Sequence, residues 1–168
     1  MAEVIRILGL DPGSGATGWG LIDVQGARLT FVAAGVVRPK RALSRAGRLA
    51  AIHDALTRLI AEHQPFEAAI EETFVNASPR DALVLGEARG IALLAPALAG
   101  LLIAEYAANT VKKSVVGKGH AEKAQVAAMV RVLLPASGEQ LADAADALAV
   151  AICHAHSRGA AILMKATG

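Results

Sequence analysis

The run Val4-Ile5-Arg6-Ile7-Leu8-Gly9-Leu10-Asp11 constrains this chain more than any other stretch. It is nearly all apolar, and it stops abruptly at a carboxylate followed by Pro12-Gly13. A run that apolar reads as a central strand buried on both faces. Pro-Gly punctuates it as a turn. A buried strand that delivers a bare carboxylate to its end needs a cation there, because a buried charge is costly unless it is paired.

The elements after that strand follow from period and punctuation. Thr17 to Val24 and Arg28 to Arg38 read as second and third strands, separated by Gly13 to Ala16 and by Gln25-Gly26. Three strands joined by short turns make an antiparallel meander. From Leu43 to His63 the spacing turns helical, with Leu49, Ile52, Leu56, Leu59 and Ile60 on one face, until Pro65 stops it. Phe66 to Glu71 is a fourth strand ending in carboxylates. Ser78 and Pro79 have the chemistry of a helix start. That helix leads to a fifth strand, Leu101 to Tyr106. A short helix and a loop over Asn109 to Gly119 follow, then helices over Ala121 to Leu134 and Gln140 to His156. The order predicts an α/β fold with a five-stranded mixed sheet flanked by helices, its first three strands an antiparallel meander. Residues 1–158 are expected to form one domain, and 159–168 a flexible C-terminal tail.

Four acids stand out by position. Asp11 ends the first strand and Glu71 the fourth, so parallel neighbours with matched ends would bring them together. Asp143 and Asp146 project from one face of the last helix. No Lys or Arg lies between Ala136 and His156 to neutralise them. For Asp143 and Asp146 alone, a helix start that favours acids is an equal explanation. Convergence of all four calls for a cation, and hard oxygen ligands suit Mg²⁺ or Mn²⁺. Glu72 points to the other face of its strand, and the remaining acids, Glu67 among them, read as surface, cap or ion-pair groups.

Other features are weaker. Gly13 to Gly18 matches G-x-G-x-x-G, but a strand follows where a dinucleotide site needs a helix. Lys112, Lys113, Lys118 and Lys123 crowd around a Gly117-Lys118-Gly119 loop, which suits phosphate contact. Arg38, Lys40, Arg41, Arg45 and Arg48 form a second basic stretch. Phe74, just past Glu71, is a core residue or an aromatic that stacks on a base. The histidines lack metal-ligand spacing and read as structural or exposed. A net charge of +2 does not advertise nucleic acid by itself. The single cysteine, Cys153, fits a reducing cytosol, and no run is apolar enough to span a bilayer. The expected location is cytoplasmic.

The stretches ILGLDPGSGATGWG, AAIEETF, ALVLGEARG, VKKSVVGKGHAEKAQV and ADAADALAVAICHAH resemble the RuvC family of bacterial Holliday junction resolvases, in order and over nearly the whole chain. The resemblance implies an RNase H-like fold and a Mg²⁺-dependent endonuclease that cuts four-way DNA junctions. It implies two metal ions per active site, a homodimer nicking two strands of like polarity, and work with the RuvA–RuvB branch-migration complex. Asp11, Glu71, Asp143 and Asp146 match the family's catalytic metal ligands. Lys112 and Lys123 match basic residues near the scissile phosphate, and Phe74 matches the aromatic that engages unstacked bases. The ALVLGEARG helix matches the dimer-forming helix. Some relatives carry His at the position of Asp146, and one well-known member has Gln at that of Glu72. Competing readings are an actin-like ATPase, a non-catalytic junction-binding module and another RNase H-like nuclease. The first would need a second facing domain and a second glycine-rich phosphate loop.

Overall fold

The computed structural model describes residues 3–72 and 78–166, with side chains as far as residue 158. A hairpin pair comes first, β1 (Ile5–Pro12) and β2 (Thr17–Gln25), followed by β3 (Arg28–Val37). After α1 (Arg45–His63) come β4 (Glu67–Glu72), α2 (Pro79–Leu98) and β5 (Leu102–Ala107). The chain ends in α3 (Ala108–Val116), α4 (Lys123–Leu133), a 3₁₀ turn at Pro135–Ser137 and α5 (Ala142–Ala166). The strands form one sheet in the order β3-β2-β1-β4-β5. β1, β2 and β3 pair antiparallel, and β4 runs parallel to both β1 and β5. The meander, the mixed sheet and its five strands match the expectation from sequence.

Helix ends follow from capping. Ser44 accepts a hydrogen bond from the Gly47 N–H (3.1 Å) and starts α1 two residues after the apolar pattern begins. Ser78 does the same for α2 through the Asp81 N–H (3.2 Å), with Pro79 as its first residue. Glu122 and Gln125 form a reciprocal capping box. That box sets the start of α4 at Lys123 rather than Ala121, which puts the Lys123 side chain at the helix mouth. α5 begins at Ala142, two residues later than its apolar pattern, and its backbone stays helical to Ala166.

The sheet is buried on both faces. Leu8, Leu10, Leu21 and Ile70 pack with Ile52, Leu56, Leu59 and Ile60 of α1 and with Ala92 and Ala95 of α2. Ile7, Ile22 and Ala69 pack on the other side, against Leu148, Ala151 and Ile152 of α5 and apolar residues of α3 and α4. Alternation along β1 therefore sends Ile7, Gly9 and Asp11 toward α5. Among the described residues, no helix is long and apolar enough to cross a membrane.

α5 lies unusually close to β1 and β2, and glycines permit it. A methyl group at Gly9 would stand 2.1 Å from the Ala147 carbonyl oxygen, and one at Gly18 would stand 1.9 Å from that of Asp143. At Gly20 it would meet the Leu148 side chain at 2.7 Å. Real side chains cannot approach so closely, so these positions admit only glycine with the helix where it is. Small residues on the helix, Ala144, Ala147 and Ala151, are fully buried and complete the contact.

Candidate active site

β1 and β4 carry Asp11 and Glu71 to the same end of the sheet. Their parallel pairing runs through Leu10 beside Ile70, so the two acids are the next residues on adjacent strands. Asp11 pairs across the hairpin with Gly18, the glycine on which the first turn of α5 rests. The close helix thereby brings Asp143 and Asp146 over the two strand ends.

The electrostatics of Asp11 record this crowding. Its carboxyl is pushed up to about 8, first by burial, then by a hydrogen bond with Glu71 and by the negative charges of Glu71 and Asp146. Lys123 opposes the shift. The protonated form of the Asp11 carboxyl is therefore favoured at neutral pH. Two cations compensate the helix acids. Lys123 Nζ lies 2.8 Å from Asp146 Oδ2, and the Arg38 guanidinium lies 3.2 Å from Asp143 Oδ2. The Lys123 ammonium is held above its ordinary value by that hydrogen bond and by the charge of Asp146, with smaller contributions from Asp11 and Asp143.

Asp11 thus shares a hydrogen bond with Glu71, and a lysine and an arginine sit on Asp146 and Asp143. Among the described residues no group of three or more His, Cys, Asp or Glu side chains stands together as a ready metal shell. The donor chemistry nevertheless suits a hard divalent cation: four carboxylates and no sulfur. Arg38 and Lys123 each engage one oxygen, Oδ2, of Asp143 and Asp146 respectively.

The other expected residues divide. Lys123 sits in the acid cluster. Lys112 is half-buried on α3, Lys113 and Lys118 are exposed, and none of the three makes an ion pair with a described acid. Phe74 lies outside the described residues. Glu72 is on the opposite face of β4 from Glu71, as alternation requires. The three residues after Gly13 lead into β2, so no helix follows to bind a dinucleotide.

Two features were not assigned from sequence. A cleft of about 700 Å³ opens beside Asp143, lined by the Gly13–Ala16 turn, Arg38, Arg41, Arg45 and Arg48. The clustering of these basic residues was visible, but not that four arginines line one cleft with Asp143. Glu67, read as a surface, cap or ion-pair acid, is an ion-pair acid, and His154, read as structural or exposed, is structural. Both are buried, each side chain only 4% exposed, with His154 Nε2 2.7 Å from Glu67 Oε2. Arg158 binds the other oxygen of Glu67 at 2.6 Å, and the Tyr106 hydroxyl lies 2.7 Å from His154 Nδ1. This network ties α5 to the sheet at the end remote from Asp11.

A three-layer domain with this strand order, and carboxylates at the ends of its two central strands, is an RNase H-like domain of the nuclease class. The comparisons carry this further. A family model described as crossover junction endodeoxyribonuclease RuvC matches residues 7–154. The chain is 57% identical over 164 residues to RuvC of Rhodopseudomonas palustris strain TIE-1, covering 98% of this chain and 94% of the relative. It is 59% identical over 161 residues to RuvC of Methylocella silvestris, covering 96% and 92%. Among solved structures, Thermus thermophilus RuvC in complex with Holliday junction substrate matches with a TM-score of 0.83 and 32% identity, covering 93% of this chain and 96% of that one. The chain belongs to the RuvC family of crossover junction endodeoxyribonucleases.

Proposed function

We propose that this chain is a Holliday junction resolvase that hydrolyses phosphodiesters on two strands of like polarity, with Asp11, Glu71, Asp143 and Asp146 holding divalent metal. The observation that carries the reading is the Asp11–Glu71 pair: two acids on adjacent strand ends, one of them protonated to about pH 8. A carboxyl kept neutral by burial and by other acids is a ligand awaiting a cation. Two bound Mg²⁺ ions, with Mn²⁺ as a substitute, would supply an activated water and charge neutralisation at the leaving oxygen.

The chain's own residues do the rest. Asp11, Glu71, Asp143 and Asp146 would hold the metal through carboxylate oxygens, and Asp11 would have to lose its proton to serve as a ligand. Lys123, freed from Asp146, is a point charge beside the phosphate. Lys112, Lys113 and Lys118 extend the basic surface along α3 and its following loop, and Phe74 engages unstacked bases at the junction centre. These assignments rest on family membership and residue chemistry.

A two-fold junction is served by a two-fold protein. Leu83, Leu94 and Leu98 of α2 are exposed, and Gly86 and Gly90 leave open space beside them. That helix is the proposed homodimer surface. Action in the cytoplasm with the RuvA–RuvB branch-migration complex belongs to the same proposal.

The test is nicking of a synthetic four-way junction, with linear duplex as control, in Mg²⁺ and in EDTA. Symmetric nicks on the junction in Mg²⁺, lost in EDTA and in Asp11→Asn, are the expected result. Equal cutting of duplex, or retained cutting by Asp11→Asn, would refute the reading.

A further inference from the structure

Arg38 and Asp143 are 105 residues apart in sequence and meet at the mouth of the arginine cleft. Their side chains are 60% and 36% exposed, so water screens the pair and it is easily broken. Of the other cleft arginines, Arg45 is already held by both oxygens of Glu87 on α2, at 2.5 and 2.7 Å. Arg41 and Arg48 have no carboxylate partner among the described residues. The cleft is therefore lined by four guanidinium groups, two of them, Arg41 and Arg48, without a carboxylate partner among the described residues, and its weakly held member Arg38 sits on Asp143. Guanidinium groups in a row match phosphates along a nucleic-acid backbone, which they grip through two parallel hydrogen bonds.

We infer that Arg38 is a positioning residue that exchanges partners: it holds Asp143 in the free protein and moves to a backbone phosphate when a DNA strand enters the cleft, releasing Asp143 as a metal ligand. The inference rests on the junction-nuclease reading and deepens it. It adds that strand entry and metal capture favour each other, because both remove Arg38 from Asp143. It also gives the cleft an occupant, the strand running on from the acid cluster past Arg38 toward Arg41 and Arg48.

The exchange is read without cleavage. Mn²⁺ is titrated into the metal-free full chain, with free Mn²⁺ followed by electron paramagnetic resonance. Binding of a four-way junction is measured separately in EDTA over a range of salt. Arg38→Gln is expected to bind Mn²⁺ about two- to five-fold more tightly, as befits loss of an exposed competing ion pair. It is expected to bind the junction more weakly, with a log–log salt slope smaller by about 0.9, one phosphate contact. Arg58→Gln, which removes an exposed charge on α1 away from the cleft, is expected to match the parent in both assays. Unchanged or weakened Mn²⁺ binding in Arg38→Gln would overturn the exchange. So would an unchanged salt slope, or the same two shifts in Arg58→Gln. Failure of the parent chain to nick junctions would instead sink the nuclease reading and leave these binding shifts intact.

Discussion

Gly18 and the backbone of Asp143 touch: a methyl group at Gly18 would lie 1.9 Å from the Asp143 carbonyl oxygen. Gly18 is also the hairpin partner of Asp11. One residue without a side chain therefore sets the spacing between the strand that carries the first acid and the helix that carries the last two. Gly18→Ala must push the start of α5 away from the sheet. The expected cost is about 1–3 kcal/mol of stability, with a loss of nicking out of proportion to it because Asp143 is displaced. Gly15→Ala, where nothing lies within 4 Å, is the stability control and should melt like the parent. Thermal melts beside the nicking assay decide it, and a parent-like Gly18→Ala would disprove the packing role.

Asp11 makes the metal-free protein pH-sensitive. Its carboxyl titrates near 3.8 when unperturbed and at about 8 in the fold, so the folded state binds the extra proton. Stability from this group is fully present below about 3.8 and drains away as pH rises toward about 8. Asp11→Asn has no such charge to bury. In EDTA its melting temperature should exceed the parent's by a margin that widens from pH 5 to pH 9. A constant margin would show that Asp11 is not protonated in the fold.

Metal binding should run against the same proton. Ligation needs the Asp11 carboxylate, so Mg²⁺ must displace the proton wherever the pH lies below about 8. Calorimetry at pH 6.5 in buffers of different ionisation enthalpy should detect proton release on Mg²⁺ binding. Affinity should climb with pH and level off above about 8. Mg²⁺ should also raise the melting temperature of the parent and leave that of Asp11→Asn almost unmoved.

Glu67 has the opposite sign. Burial pushes its carboxyl up, but hydrogen bonds from His154 and Arg158 outweigh burial and hold it at about 2, against an ordinary 4.5. Its contribution is complete above about 4.5 and is lost as pH falls toward about 2. Glu67→Gln should cost roughly 3 kcal/mol at neutral pH, since it leaves His154 and Arg158 without their charge partner. The gap to the parent should close on acidification. Nicking by the folded variant should persist, because this network lies at the far end of the sheet from Asp11.

The exposed leucines of α2 give a prediction about assembly. Leu83→Glu and Leu98→Glu place charge on the proposed dimer face without touching the core. Sedimentation should show a dimeric parent and monomeric variants with near-parent melting curves. Paired nicking of a junction should give way to single nicks. A monomeric parent would remove α2 from this role.

Much of this protein is local and hence legible in its amino-acid order. The apolar run into Asp11, the turn at Pro12-Gly13, the helical spacing after Leu43 and the Ser78-Pro79 cap are short-range patterns, and the elements form where those patterns fall. The strand-end position of Asp11 and Glu71 and the shared face of Asp143 and Asp146 follow from the same periods. Glycine at positions 18 and 20, alternating on one strand opposite an Ala-rich helix, held a signal of close packing that a reading of turns alone passes over. What only the tertiary structure decided is which groups meet. Arg38 reaches Asp143 across 105 residues, and Glu67 finds His154 and Arg158 across 87 and 91. Such pairings depend on the distance and angle at which a helix lies on a sheet, and that distance is set by the absence of side chains at Gly9, Gly18 and Gly20. The sequence by itself determined where carboxylates and elements lie along the chain. The packing of α5 on β1 and β2 determined that the helix acids lie near the strand-end pair, with Lys123 on Asp146 and Arg38 on Asp143.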